Sequence, residues 1–332
     1  MPPSSNAKLR RFVIGFWMVN LFLGLTVVAA WFWMNRTAKA AFPSPLPTIT
    51  SISPLAAPRT SLPTPVIPPT VTLTPSDTPT TTETPTEKIT PTETLTPIPF
   101  NEGPITIGKS VQGRPLQVYR FGTGPIERLI TAGMHGGNEY NTVELADQLI
   151  TYISKNPNVI PANVTLYILE DINPDGVARA HNYLGRANAN LVDLNRNWPA
   201  NWQKDWPRTG CWTTTYVTGG SGPASEPETK ALMAFIQSQH FDGLINYHSA
   251  ALGIFPGGIP ISDASRSLAQ AVANVTTYHY PALDTGCDYT GGMVDWTANQ
   301  GIASLDVELT NHTDTDFDMN LRVLQVFLNW KP

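Results

Sequence analysis

The stretch from Phe42 to Phe100 is dominated by proline and threonine and holds about half of the chain's 31 prolines. Proline fixes φ and removes a backbone donor, and a polar run without apolar periodicity buries too little to offset its ordering entropy. Any packed core is therefore confined to the residues from about 101 onward, within a chain of 332. At ~3.1 Å per residue, an extended segment of roughly 60 residues reaches on the order of 180 Å, so it reads as a stalk.

Ahead of the stalk, Lys8, Arg10 and Arg11 precede the uncharged run Phe12 to Met34, in which Asn20 is the one strongly polar residue. A helix crosses a bilayer with about 20 apolar residues. The basic cluster before the run and the aromatic residues at its ends predict a cytoplasmic segment at 1–11 and a membrane helix at 12–34. A disordered linker at 35–102 and an exported domain at 103–332 follow. The alternative is a cleaved signal: Ala38-Lys39-Ala40 has the small-x-small form, although the apolar run exceeds a usual signal core. The expectation is a single-pass cell-membrane protein with its domain outside the cytoplasm, or a secreted one. A net charge of -5 and the lack of a basic block in the exported part argue against a nucleic-acid partner. The two cysteines, Cys211 and Cys287, are permitted to pair there.

Four short apolar runs, Leu129 to Ala132, Val164 to Leu169, Leu244 to Tyr247 and Ile302 to Leu309, read as strands. Helical spacing recurs at Val143, Ala146, Leu149, Ile150 and Ile153. Ser225 and Glu228 form a capping-box pattern before Ala231 and Leu232, and Asp316 stands as a cap before a closing helix. Strands alternating with helices predict an α/β fold, a mixed, mostly parallel twisted sheet flanked by helices. His135, Asn173 and His248 follow strands directly, where such sheets collect their sites.

Zinc accepts imidazole nitrogen and carboxylate oxygen, and His135, Glu139 and His248 offer that set, one zinc ion with three protein ligands. A histidine at a strand end is also a common structural hydrogen-bonding residue. Glu308 is placed to act as a general base, because Ser304, Asp306 and Glu308 alternate with Leu305, Val307 and Leu309 and give one polar strand face. The competing reading of that face is an edge strand turned to solvent. In the run from Arg186 to Pro199, Asn195 and Arg196 suit a substrate carboxylate and Arg186 suits a developing oxyanion. The same run is also readable as a solvated loop with surface ion pairs.

Taken in order, the motifs IGKSVQGRPLQVYRFG, INPDGVAR, VDLNRNW, NYHSA, GGMVDWTANQGI and LDVELT resemble the zinc carboxypeptidase family of carboxypeptidase A type, across essentially all of 103–332. The resemblance implies a carboxypeptidase fold and hydrolysis of the C-terminal peptide bond by zinc-activated water, on peptides with a free C-terminal carboxylate. It places the metal ligands at His135, Glu139 and His248, the base at Glu308 and the carbonyl-polarising arginine at Arg186. Asn195 and Arg196 would grip the carboxylate, and Asp193 would orient a ligand histidine.

Two departures stand out. The family usually has His-x-x-Glu, and here one residue more separates His135 from Glu139; the adjacent glycines would absorb it, with Glu144 pointing elsewhere. The family's mobile-loop tyrosine position holds Cys287, with Tyr289 two residues later; either Tyr289 substitutes or that function is missing here. A disulfide from Cys211 to Cys287 would tie that loop to the segment after DLNRNW. Val294 aligns with a specificity-pocket position and favours an apolar side chain. Asp306 lies on the Glu308 face, its partner either a basic group of the substrate or a protein donor. The alternative function is a zinc-dependent amidase or deacylase acting on cell-wall peptides or acylated amino acids, and a third class is a non-catalytic binding module.

Overall fold

The run Val164–Leu169 is buried at every position, which requires cover on both faces and places it inside a sheet. The computed structural model describes residues 101–211, 216–250 and 252–331. The expected segments at 1–11 and 12–34, and the linker up to residue 100, lie outside the described residues. Among the described residues, no helix is long and apolar enough to cross a membrane.

Among the described residues, seven strands form one sheet: β1 (Asn101–Lys109), β2 (Pro115–Gly122), β3 (Ile126–Thr131), β4 (Val164–Leu169), β5 (Phe241–Ser249), β6 (Ile254–Pro256) and β7 (Ala303–Leu309). Their order is β1-β2-β4-β3-β5-β7-β6. The four central strands β4, β3, β5 and β7 are parallel, while β1, β2 and β6 pair antiparallel at the two sides. The sheet is mixed as the sequence implies, but parallel pairing is limited to its centre. A tight turn from Ser110 to Arg114 joins β1 to β2, and a connection that short allows only a hairpin.

The main helices are α1 (Tyr140–Lys155), α2 (Pro174–Arg179), α3 (Pro227–Ser238), α4 (Asp263–Ala273), α5 (Met293–Asn299) and α6 (Phe317–Asn329). One face of the sheet packs Leu145, Leu149 and Ile153 of α1, Leu268 and Val272 of α4, and Val323 and Phe327 of α6 against Ile245, Leu305 and Val307. The other packs Leu232 of α3 and Met293 and Trp296 of α5 against Leu129 and Leu244. Helices on both faces turn the sheet into a buried layer.

Two expected caps differ. Helix α3 has Glu226 at its N-cap with no side-chain cap bond; Ser225 instead donates to Glu226 Oε1, and Glu228 accepts from Val111 N–H and Asn188. Asp316 does precede α6, in a left-handed conformation at φ 48°, but its carboxylate accepts from Tyr278 and the Thr310 N–H. In both places a distant donor competes with the local one.

Because side chains alternate along a strand, β5 sends Ile245 and Tyr247 into one core and turns Asn246 and His248 to the other face. In β7, Leu305, Val307 and Leu309 enter the same core, leaving Asp306 and Glu308 beside Asn246 and His248. The parallel register pairs Asn246 with Asp306 and His248 with Glu308. A polar patch thus forms at the carboxyl ends of the central strands.

Candidate active site

His135 follows β3 and opens a 3-10 turn, Gly136–Glu139, that runs into α1. Gly136 has φ +48°, and a Cβ there would meet the Gly185 carbonyl oxygen at 2.7 Å; a Cβ on Gly137 would collide with the carbonyl of Ala180. The glycine pair lets the turn press against the segment 180–185 and return Glu139 toward His135. The two side chains sit 2.7 Å apart, from His135 Nδ1 to Glu139 Oε1. Glu139 is 3% exposed, whereas Glu144 lies on the exposed side of α1.

His248, at the end of β5, completes the group: its Nδ1 is 2.9 Å from Glu139 Oε2 and 3.2 Å from His135 Nδ1. Ligand atoms of His135, Glu139 and His248 all lie within 4.8 Å of one another, and all three residues are buried. Two imidazole nitrogens and a carboxylate facing one point fit a zinc ion, and burying them together without a cation is costly. Burial pushes the Glu139 carboxyl up, but His135 and His248 outweigh it and hold it well below the usual range. Burial pushes His248 down, and Asp306 and Glu139 outweigh it and raise it well above the ordinary imidazole range.

Each histidine turns its other nitrogen to a carboxylate. His135 Nε2 is 3.1 Å from Asp193 Oδ1, and His248 Nε2 is 3.4 Å from Asp306 Oδ1. Such contacts set tautomer and ring orientation. Arg186 grips Asp193 Oδ2 through Nε at 3.0 Å and Nη2 at 2.9 Å, and its Nη1 lies 3.5 Å from Glu139 Oε1. Asp193 is driven up by burial but brought well below the usual carboxylate range by Arg186 and His135.

Asp306 has protein donors, the second of the two partners the sequence allows. Asn246 Nδ2 donates at 2.7 Å and Asn195 Nδ2 lies at 3.4 Å, while Thr131 donates to the Asn246 carbonyl oxygen at 2.8 Å. Asn195 also accepts from the Met293 N–H, so its amide is engaged with the scaffold.

A cavity of about 600 Å³ opens on this group and includes Glu308, Arg196, Tyr289 and Val294 among its lining residues. Glu308 Oε2 is buried without a hydrogen-bond partner among the described residues, and burial, with the neighbouring Glu139 charge, pushes its carboxyl up to about 8. Val294 is 5% exposed. Tyr289 lines the cavity and places its ring centre 5.3 Å from the Arg196 guanidinium. Cys211 and Cys287 form a disulfide with Cα atoms 4.7 Å apart, and both line the cavity.

Sequence reasoning missed Asn246 and Trp206. Asn246 had a legible signal, since it lies two residues before His248 and alternation puts both on one strand face. Trp206 had none: it reaches Arg196 from an irregular segment whose path local pattern does not encode.

A buried His-Glu-His set with a second carboxylate across an open cleft, at the carboxyl ends of parallel strands, defines a zinc centre of the catalytic type. The chain belongs to the zinc carboxypeptidase family, whose sequence profile matches residues 99–325. It is 28% identical over 231 residues to carboxypeptidase A4 of Mus musculus, covering 60% of this chain and 54% of that one. It is also 28% identical over 243 residues to murein peptide amidase A of Escherichia coli strain K12, covering 70% of this chain and 92% of that protein. The chain thus spans about half the length of the carboxypeptidases A it matches. The solved structure of bovine thrombin-activatable fibrinolysis inhibitor shares the fold, with a TM-score of 0.53 at 19% identity, over 68% of this chain and 88% of that one.

Proposed function

We propose that this domain is a zinc-dependent metallocarboxypeptidase that hydrolyses the C-terminal peptide bond of peptides bearing a free carboxylate. The observation that carries the reading is the pairing, in one cavity, of two unmatched groups. Among the described residues, Glu308 presents a carboxylate oxygen without a hydrogen-bond partner, and Arg196 presents a buried guanidinium that forms no ion pair. An anionic chain end answers the second, and a proton in transit answers the first.

His135, Glu139 and His248 would hold a zinc ion, which when bound would supply Lewis-acid chemistry to water and carbonyl. Glu308 takes the proton of the attacking water and delivers it to the leaving amine, a task suited to a carboxyl raised toward neutrality. Arg186, aimed past Asp193 at the ligand set, stabilises the charge that develops on the carbonyl oxygen. Arg196, with Asn195 and Tyr289 beside it, holds the carboxylate, while Asp193 and Asp306 keep the two histidines in their metal-binding orientation. Val294 shapes an apolar wall for the leaving residue.

The second reading is an amidase acting on cell-wall peptides, favoured by the match that covers 92% of murein peptide amidase A. Both readings use the same residues and differ in what the cavity accepts. The apolar run at 12–34 and the Pro/Thr-rich linker support a place at the outer face of a membrane, or release after signal cleavage.

Zinc analysis paired with release of C-terminal residues from a peptide panel, including cell-wall peptides and C-terminal amides, tests the reading. Glu308→Ala should keep its zinc and lose about 10²–10⁴-fold in kcat. Full turnover in that variant, or cleavage of amides as fast as acids, would sink the carboxypeptidase mechanism.

A further inference from the structure

Arg196 ends a 3-10 turn, Leu194–Arg196, and is 5% exposed. Its guanidinium lies 5.3 Å from the ring centre of Trp206 and 5.3 Å from that of Tyr289. Nη1 donates to the Asn195 carbonyl, and Nε has no partner among the described residues. Two aromatic faces hold the cation without neutralising it, so its charge stays available to an incoming anion.

Neither ring sits on a helix or strand. Trp206 belongs to the irregular segment before α3, and Tyr289 to the one between α4 and α5. Tyr289 is 41% exposed, and its other ring contact is an edge-on approach to Phe255 at 5.6 Å. Packing of that kind leaves a loop many conformations. The two segments are joined by backbone bonds between Gly291 and both Trp198 and Ala200, and covalently by the disulfide, five residues after Trp206 and two before Tyr289 in sequence.

The backbones beside it are also in contact. Gly210 has φ +76°, and a Cβ there would meet the Gly286 carbonyl carbon at 2.7 Å and the Cys287 nitrogen at 2.8 Å. On Trp206 the Arg208 guanidinium stacks 3.5 Å from the ring centre, and Arg208 Nη2 donates to the Val217 carbonyl at 2.6 Å. Trp206 is therefore braced by its own segment, and Tyr289 is braced through the disulfide.

We propose that the Cys211–Cys287 disulfide closes an aromatic clamp of Trp206 and Tyr289 around Arg196, and that this clamp positions the guanidinium to receive the substrate's carboxylate. The inference rests on the carboxypeptidase reading and deepens it. Arg196 touches the substrate; Trp206 and the two cysteines are positioning residues that act through it. A covalent tie removes conformations the loop would otherwise have to lose on binding, which is preorganisation of the receptor. The metal ligands and Glu308 stand on or beside β3, β5 and β7, outside the tied segments. Opening the tie should therefore weaken substrate capture and spare the chemical step.

The experiment uses the full zinc-loaded chain as wild type, as Cys211→Ser/Cys287→Ser and as Trp206→Ala. Calorimetry measures binding of N-acetylphenylalanine, a free acid, against its amide, and steady-state assays give kcat and KM on a peptide. In both variants the dissociation constant and KM for free acids should rise on the order of ten-fold, the size of one lost cation–π contact. The kcat and the zinc content should stay within about two-fold. A phosphine reductant should reproduce the shift in wild type and add nothing in the double-serine variant, an arm that starts from folded protein. An unchanged KM after the disulfide is opened, or a fall in kcat at constant KM, would overturn the clamp. Binding of the acid that depends on the disulfide, without peptide cleavage, would uphold the clamp and remove the peptidase reading. Cleavage indifferent to the disulfide would do the reverse.

Discussion

Glu139 meets His135 Nδ1 and His248 Nδ1 with different oxygens, at 2.7 and 2.9 Å, and the whole group is buried. Removing that carboxylate leaves two buried imidazoles facing each other. Glu139→Ala should therefore lower zinc affinity by more than the ~10–100-fold expected for an outer carboxylate such as Asp193, while exposed Glu144→Ala should leave it unchanged. Competition titration with a chelator checks this, and equal loss in both glutamate variants would refute the assignment. The same geometry sets a pH dependence. His248 is held well above the ordinary imidazole range, with Asp306 and Glu139 overcoming the effect of burial, so it binds a proton more tightly than a free imidazole. Zinc must displace that proton, so affinity should fall as pH drops below the raised value, by up to tenfold per unit for one proton released. At this scale the grouping of His135, Glu139 and His248 was legible from their zinc-ligand chemistry near strand ends, and alternation along the strand placed Glu308 on the polar face. The engagement of Asp306 was not, since Asn246 and Asn195 reach it from other elements.

Among the elements, the long helices and central strands were readable from periodicity: Val164–Leu169 is the run the sequence marks, and α1 carries its apolar stripe where expected. The β1–β2 hairpin and the three-residue β6 were not read, the latter because three residues are too few to establish an alternation. Arg128 on β3 shows a tie between elements that no local rule encodes. It is 1% exposed, donates to the Trp330 carbonyl at 2.8 Å and the Phe327 carbonyl at 3.3 Å, and stacks on both rings. Its cation satisfies carbonyls at the end of α6, where the helix is partially negative. Arg128→Leu should cost about 2 kcal/mol in urea unfolding, from charge-assisted bonds lost and carbonyls left dry. A change below about 0.5 kcal/mol would show that the C-terminus of α6 is held by packing alone.

For the molecule as a whole, composition predicts a packed part from about residue 101 onward, preceded by a proline-rich part that buries too little to form a core. The proposed outer-surface location is tested by fractionation. The chain should remain with membranes through a high-salt wash and be released by detergent, whereas a chain lacking residues 1–41 should not sediment. Recovery of the intact chain in the soluble cytoplasmic fraction would count against both the anchor and the signal. The two-sided cover of the sheet explains why fold class was legible while the cavity was not. Periodicity reports which residues enter a core, and the cavity wall comes from segments without period, such as those bearing Trp206 and Tyr289.

The side-by-side pairing of Asn246 with Asp306 and His248 with Glu308 couples folding to chemistry. A slip of β7 by one residue against β5 would carry both carboxylates into the apolar core and bring Leu305 and Val307 out into the cleft. The misregistered chain would lose its base and the support of one ligand together with its packing. None of the three ligands lies on β7, so a misregistered chain would still bind zinc, more weakly, and would be recognised by weakened metal binding together with lost turnover.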